Sequence, residues 1–384
     1  MGKFDDATDM RKYVSTAFVA RDMLELIKAI DARKHAMLPS HHDSQQALLR
    51  AEADEAPKLQ YYGQSYGTFL GQLFASTYPE NVGRMILDGN IDGDNWVSSH
   101  EHSVNDAEAL RAYFFESCFA AGKLCRFWGL LDEDAKDQEG RYARIVHELA
   151  ERPALIAQRG RVIVLTPQRL EKAFFVASYQ PTEMFPRLAQ LLLDVYLHLE
   201  YGDPLHDVDV FWEAQTPDLD DFATAELAHV LQNEEIAAFV HCGDGQELTD
   251  HNMSSFRQHL DDLVNRFPHA AAEQANYKLP CWTMPPSLRT TWRYDRSFSS
   301  NQTPPILFLN NRLDVATPAK SARKMAGRFL GSKLVVSGNF GHVSLWKGGD
   351  CMWQHARRYM VNGTLPEEQE GWCERTHAPF EADD

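Results

Sequence analysis

After Gly2 no glycine occurs until Gly63. That excludes a glycine-rich loop, of the kind that cradles a phosphate or an oxyanion, ahead of residue 63 in this sequence. Also absent is any run of about 18 apolar residues, the length a membrane-crossing helix needs. The opening Met1-Gly2-Lys3-Phe4-Asp5-Asp6 has no apolar stretch of the kind found in secretory leaders. Positive charge is short as well. The 38 Lys and Arg stand against 55 Asp and Glu, a formal net charge of −17, which argues against nucleic acid and anionic membrane as partners. No C-x-x-C or H-E-x-x-H spacing is present. A metal reading therefore falls back on His241, Cys242, Asp244 and His251, and neither metal nor cofactor is expected. No internal repeat is visible, and the acidic blocks Asp132–Asp137, Asp218–Asp221 and Glu381–Asp384 read as solvated loops.

What is present is chemistry at ordered spacing. With 44% hydrophobic content over 384 residues, the chain can bury a large core. Lys58–Tyr62 reads as a strand, and a helix pattern with Leu70, Leu73, Phe74 and Thr77 follows, stopped at Pro79. Between them lies Gly63-Gln64-Ser65-Tyr66-Gly67, a G-x-S-x-G turn. Its glycines let the backbone fold tightly, so that the Ser65 hydroxyl is exposed and the Tyr66 N–H is free to bind an oxyanion. An activated serine needs a base and an acid that orients the base. Pro304–Leu309 has the pattern of a buried strand and runs through Asn310-Asn311-Arg312-Leu313 to Asp314. A helix pattern follows over Ala319–Phe329, then a second strand, Lys333–Val336, and a loop that ends at His342. Consecutive parallel strands present their C-terminal ends to one edge, so Ser65, Asp314 and His342 are expected to converge as nucleophile, acid and base.

The segments Tyr13–Met23, Ser76–Gly89 and those around Asp314 and His342 resemble the tripeptidyl aminopeptidase branch of the α/β-hydrolases, relatives of proline iminopeptidase. The similarity is strongest over 10–95 and 300–375, and 304–366 looks like the domain that bears the family's name. Ser65, Asp314 and His342 fall on its nucleophile, acid and base positions. The resemblance implies an α/β-hydrolase fold with an inserted helical cap, divided as 1–95 core, 96–300 cap and 301–384 core. Helical periodicity supports such a cap over Asp106–Ala121, Glu139–Ala150, Pro167–Val176, Pro186–Tyr201 and Ala223–Val240. Val162–Leu165 is open between a short strand and a loop. The aromatics Phe114, Phe115, Phe174, Phe175, Trp212, Trp282 and Trp292 read first as core rather than as pocket lining.

The resemblance also implies pairing of Cys118 with Cys125, Cys242 with Cys281 and Cys351 with Cys373. Sequons at Asn252, Asn301 and Asn362 are compatible with a secretory route, whereas the lack of a leader favours free thiols in a reducing cytosol, so the compartment stays open. Family members carry strands and a glycine-rich oxyanion loop ahead of the elbow. Those are not in this sequence, so a parallel sheet truncated at its N-terminal side is expected. The expected function is a serine hydrolase that releases residues or short peptides from peptide N-termini through an acyl-enzyme. Two alternatives stand beside it: hydrolysis of a small-molecule ester or amide, and a catalytically impaired remnant that binds rather than cleaves.

Overall fold

The computed structural model describes residues 10–37, 56–98, 104–158, 161–205, 236–245, 252–284, 290, 292–346 and 348–381. Its centre is a five-stranded sheet built from β1 (Leu59–Gln64), β2 (Val82–Asp88), β5 (Leu307–Leu313), β6 (Lys333–Phe340) and β7 (Glu370–Cys373), in the order β1-β2-β5-β6-β7. Every pairing is parallel. Such a sheet needs both faces covered, which is why β2, β5 and β6 are buried almost without alternation. Among the described residues β1 is the terminal strand on its side.

One face packs Phe69, Leu73 and Phe74 of α2 (Tyr66–Thr77) against Met85, Leu87 and Phe308, with Ala20 and Leu24 of α1 (Thr16–Met37) behind them. On the other face Met352, Ala356 and Tyr359 of the helix Gly349–Asn362 lie against Ile86, Leu307, Leu309 and Val335. The connections β1 to β2 and β5 to β6 each cross over through one main helix, so the C-terminal ends of β1, β2, β5 and β6 share one edge.

Between β2 and β5 the described residues are mainly helical, with helices at Ala107–Ala121, Ala135–Glu151, Pro167–Ala177, Pro181–Tyr201, 236–244, Met253–Arg266 and Ala271–Thr283 among them. The first four enclose a separate core of Phe114, Phe115, Tyr142, Phe174, Phe185 and Leu192. Arg111 enters this core with its guanidinium 4.3 Å from the Tyr142 ring and 5.0 Å from that of Phe174, and it pairs with Glu171 at 3.1 Å.

Several expectations change in detail. Val162–Leu165 is a strand, β4 (Arg161–Leu165), and it pairs antiparallel with β3 (Ala154–Gln158), which the sequence did not suggest. The helix expected from Pro186 begins at Pro181. Pro181 is the first helical residue, where a missing N–H costs little, and Pro186 lies inside the helix, five residues further on. Asp132–Asp137 is not a solvated loop. Asp132 pairs with Arg141, while Asp134 and Asp137 form a reciprocal cap on the helix that follows. Strands β5 and β6 run four residues beyond the apolar stretches, because Asn310, Asn311, Ser337 and Asn339 are buried and hydrogen-bonded at the sheet edge. Trp212, His251, Asp218–Asp221 and most of Ala223–Val240 lie outside the described residues.

Candidate active site

Ser65 follows the last residue of β1 and immediately precedes α2, at φ 52 and ψ −121. A non-glycine residue held there is strained, and the surrounding packing enforces it. The Ser65 N–H donates to Asp88 O at 3.0 Å, and its carbonyl accepts from Thr68 N at 2.8 Å and Thr68 Oγ1 at 2.6 Å. Gly63 is required because a Cβ there would lie 2.5 Å from Gly67 O and 2.6 Å from Tyr61 Cε1. Tyr66 opens the helix, so its N–H has no carbonyl four residues back to bond within the helix and points out of the helix end. Its side chain is anchored at 2.6 Å to Thr16 Oγ1.

Asp314 comes directly after β5 and is fully buried. Its Oδ1 accepts from Ala316 N and Thr317 N, both at 2.9 Å, and its Oδ2 from Thr317 Oγ1 at 2.7 Å. Both oxygens stand 3.0 Å from His342 Nδ1. Burial alone would push the His342 imidazole below its ordinary value. The Asp314 charge and hydrogen bond, with a smaller contribution from Asp88, outweigh it, and the pKa ends above 6.5.

The loop that carries His342 is fixed from three sides. Its N–H donates to Tyr179 O at 2.8 Å. Val343 takes φ 65, rare for a β-branched residue. Fully buried Asp88, at the end of β2, receives Ser344 N, Ser344 Oγ and Leu345 N at 2.7–2.9 Å. Burial raises the Asp88 carboxyl, and these donors oppose the rise.

The structure thus joins Asp314 to His342 directly and sets Ser65 at the end of β1, with β2 between β1 and β5. The link is Gly89, which follows Asp88. A Cβ on Gly89 would lie 3.4 Å from His342 Cε1, so the imidazole lies against the end of β2, the strand that pairs with β1. Ser65 Oγ makes no hydrogen bond with the described residues.

Sequence reasoning missed four supporting groups. Thr317 Oγ1 lies 3.2 Å from His342 Nδ1 as well as on Asp314. Asp106 Oδ2 accepts the Asp314 N–H at 3.0 Å, and its carboxyl is pushed up to about 6 by burial. Asp244 accepts from Thr16 N, Thr16 Oγ1 and Trp96 Nε1 at 2.5–3.1 Å, and burial raises it to about 6 as well. Asp88 is the fourth. A threonine three residues after the acid is a signal that could have been read; the other three meet the site only in space.

The metal reading of His241, Cys242, Asp244 and His251 fails. Cys242 is in a disulfide with Cys281, and Asp244 is occupied by the three donors just named. Cys118–Cys125 and Cys351–Cys373 are likewise bonded. Cys351, His355 and Cys373 stand close enough to one another to hold an ion, but both sulfurs are in that last bridge. Among the described residues no helix is long and apolar enough to cross a membrane.

Parallel sheet, strained serine at a strand-to-helix turn, and acid and histidine at later strand ends together define an α/β-hydrolase. The family described as TAP-like protein matches residues 267–373 of this chain. The chain is 23% identical over 363 residues to the tripeptidyl aminopeptidase of Streptomyces lividans, covering 94% of this chain and 59% of that protein. It is 24% identical over 328 residues to serine protease Hip1 of Mycobacterium bovis, covering 80% of this chain and 56% of the other. The chain therefore spans under two thirds of the length of these relatives.

Proposed function

We propose that this chain is a serine hydrolase acting on the N-terminal region of short peptides through an acyl-enzyme. Ser65 is the nucleophile, His342 the general base and then acid, Asp314 the group that orients His342, and the Tyr66 N–H an oxyanion donor. The observation that carries the reading is the pairing of His342 Nδ1 with both oxygens of fully buried Asp314, at the strand edge that also ends in Ser65 at φ 52. A buried carboxylate so placed fixes the Nδ1–H tautomer and leaves Nε2 as the proton acceptor.

When Nε2 takes the Ser65 proton, the imidazolium that forms is stabilised by the same carboxylate. Oxyanion charge develops next to Ser65, where the N-terminus of α2 presents its N–H groups and its positive dipole end. The leaving amine receives the proton from Nε2, and water, activated by the same nitrogen, releases the acyl group. The names of the relatives, tripeptidyl aminopeptidase and serine protease, support the choice of a peptide amide.

The test is a substrate panel. Peptide amides with a free N-terminus should be cleaved, and their N-acetylated counterparts should not. Turnover confined to aryl esters would point to small-molecule hydrolysis, and no turnover together with no fluorophosphonate adduct would point to a binding protein.

A further inference from the structure

The leaving half of a substrate must lie where His342 can hand it a proton, on the side of the imidazole away from the acyl group held at Ser65 and Tyr66. A cavity of about 460 Å³ opens against His342, lined by Tyr179, Pro181, Phe340, Trp346 and Asn311 among others, with neither Ser65 nor Tyr66 in its walls. Its walls come from two parts of the fold that are locked together. Besides the bond from the His342 N–H to Tyr179 O, the Tyr179 ring meets the imidazole edge-on at 5.2 Å. Gly341, at φ 108, lets the two segments touch: a Cβ there would lie 2.7 Å from both Pro181 Cδ and Tyr179 O.

Two features point to an occupant. Asn311 is 3% exposed, and its Nδ2 donates to Gly341 O at 2.9 Å and Val343 O at 3.0 Å, which fixes the amide orientation. Its Oδ1 is buried and receives no donor from the described residues. A buried acceptor left unpaired is costly, and a ligand N–H would relieve that cost. Trp346 lines the same cavity with 78% of its surface in water, an exposed indole platform.

We propose that this cavity holds the leaving segment of a peptide, with an apolar or aromatic side chain against Trp346 and Phe340 and an amide N–H beyond the first leaving residue donated to Asn311 Oδ1. The proposal rests on the serine-hydrolase reading. By microscopic reversibility the same cavity binds an amine that intercepts the acyl-enzyme.

The experiment forms the acyl-enzyme from an unblocked peptide aryl ester and adds either leucinamide or leucine methyl ester, amines of similar basicity of which only the first carries an amide N–H. Leucinamide should capture the acyl group about tenfold better, the worth of one hydrogen bond to a buried acceptor. Trp346→Ala should lower leucinamide capture about tenfold through lost apolar contact, with the rate of fluorophosphonate labelling at Ser65 unchanged. Equal capture of the two amines, no capture, or capture indifferent to Trp346→Ala, each with Ser65 labelled normally, overturns the proposal alone. Failure to label Ser65 overturns the hydrolase reading with it.

Discussion

Replacing Asp314 by Asn isolates the contribution of one carboxylate oxygen. In the native chain Oδ1 serves the Ala316 and Thr317 N–H groups, Oδ2 serves Thr317 Oγ1, and both face His342 Nδ1 at 3.0 Å. An amide keeps one acceptor, which the two backbone donors claim, and its NH2 group then occupies the Oδ2 position. There it donates to His342 Nδ1, which must become an acceptor, so the ring proton moves to Nε2. The nitrogen that should take the Ser65 proton is now blocked. The expected loss in kcat/KM is about 10⁴-fold, or about 5 kcal/mol of transition-state stabilisation.

The pH profile supplies a second readout. Burial lowers the His342 pKa, and Asp314 outweighs it, so the neutral base is gained only as pH rises through a value above 6.5. Activity of the native chain should therefore climb along an acid limb above pH 6.5. In Asp314→Asn burial loses its main opponent, and the limb of the residual activity should move down. The assay is kcat/KM for one peptide amide from about pH 5 to 9, taken with the rate of fluorophosphonate labelling. A variant within tenfold of the native chain, or an acid limb that does not move, would refute the role given to Asp314.

Three further outcomes are expected. Gly63→Ala should lower stability by roughly 1–3 kcal/mol in denaturant unfolding, because its Cβ meets the Gly67 carbonyl and the Tyr61 ring; an unchanged midpoint would contradict the tight elbow. Non-reducing mass mapping should find the three disulfides. Replacing the Cys242–Cys281 pair, 39 residues apart, by Ser should cost about 4 kcal/mol, against about 2 kcal/mol for Cys118–Cys125, 7 apart; free thiols in unreduced protein, or equal costs, would count against this. Asp244 has a folded pKa raised from 3.8 to about 6, so the folded state holds its proton more tightly and stability from this group falls as pH rises between those values. The stability of the native chain minus that of Asp244→Asn should drop by an amount on the order of 3 kcal/mol from pH 4 to 7, and a flat difference would show that the carboxyl is not buried as described.

The positions of Ser65, Asp314 and His342 were legible because each lies just past a strand, and parallel strands bring such positions to one edge whatever lies between them. The lengths of β5 and β6 were not legible. Asn310, Asn311 and Asn339 read as loop, and only the three-dimensional edge shows that each is buried and serves as a cross-link between strand and loop. The β3–β4 hairpin escaped notice for a different reason: exposed Leu155, Val162 and Val164 blur the alternation that would have marked it. Contacts such as Asp106 with Asp314, 208 residues apart, and Asp244 with Thr16, 228 apart, leave no local pattern at all. They tie the helical region to the edge that carries Ser65, Asp314 and His342, and a single sequence carries no trace of that tie.

Treating the chain with a fluorophosphonate and mapping the adduct by peptide mass asks whether Ser65 is an activated nucleophile. One adduct is expected, on the hydroxyl of Ser65, abolished in Ser65→Ala and nearly abolished in His342→Ala, with the double variant no worse than Ser65→Ala because the groups act as a unit. An adduct on another residue, or labelling that survives in Ser65→Ala, would contradict it.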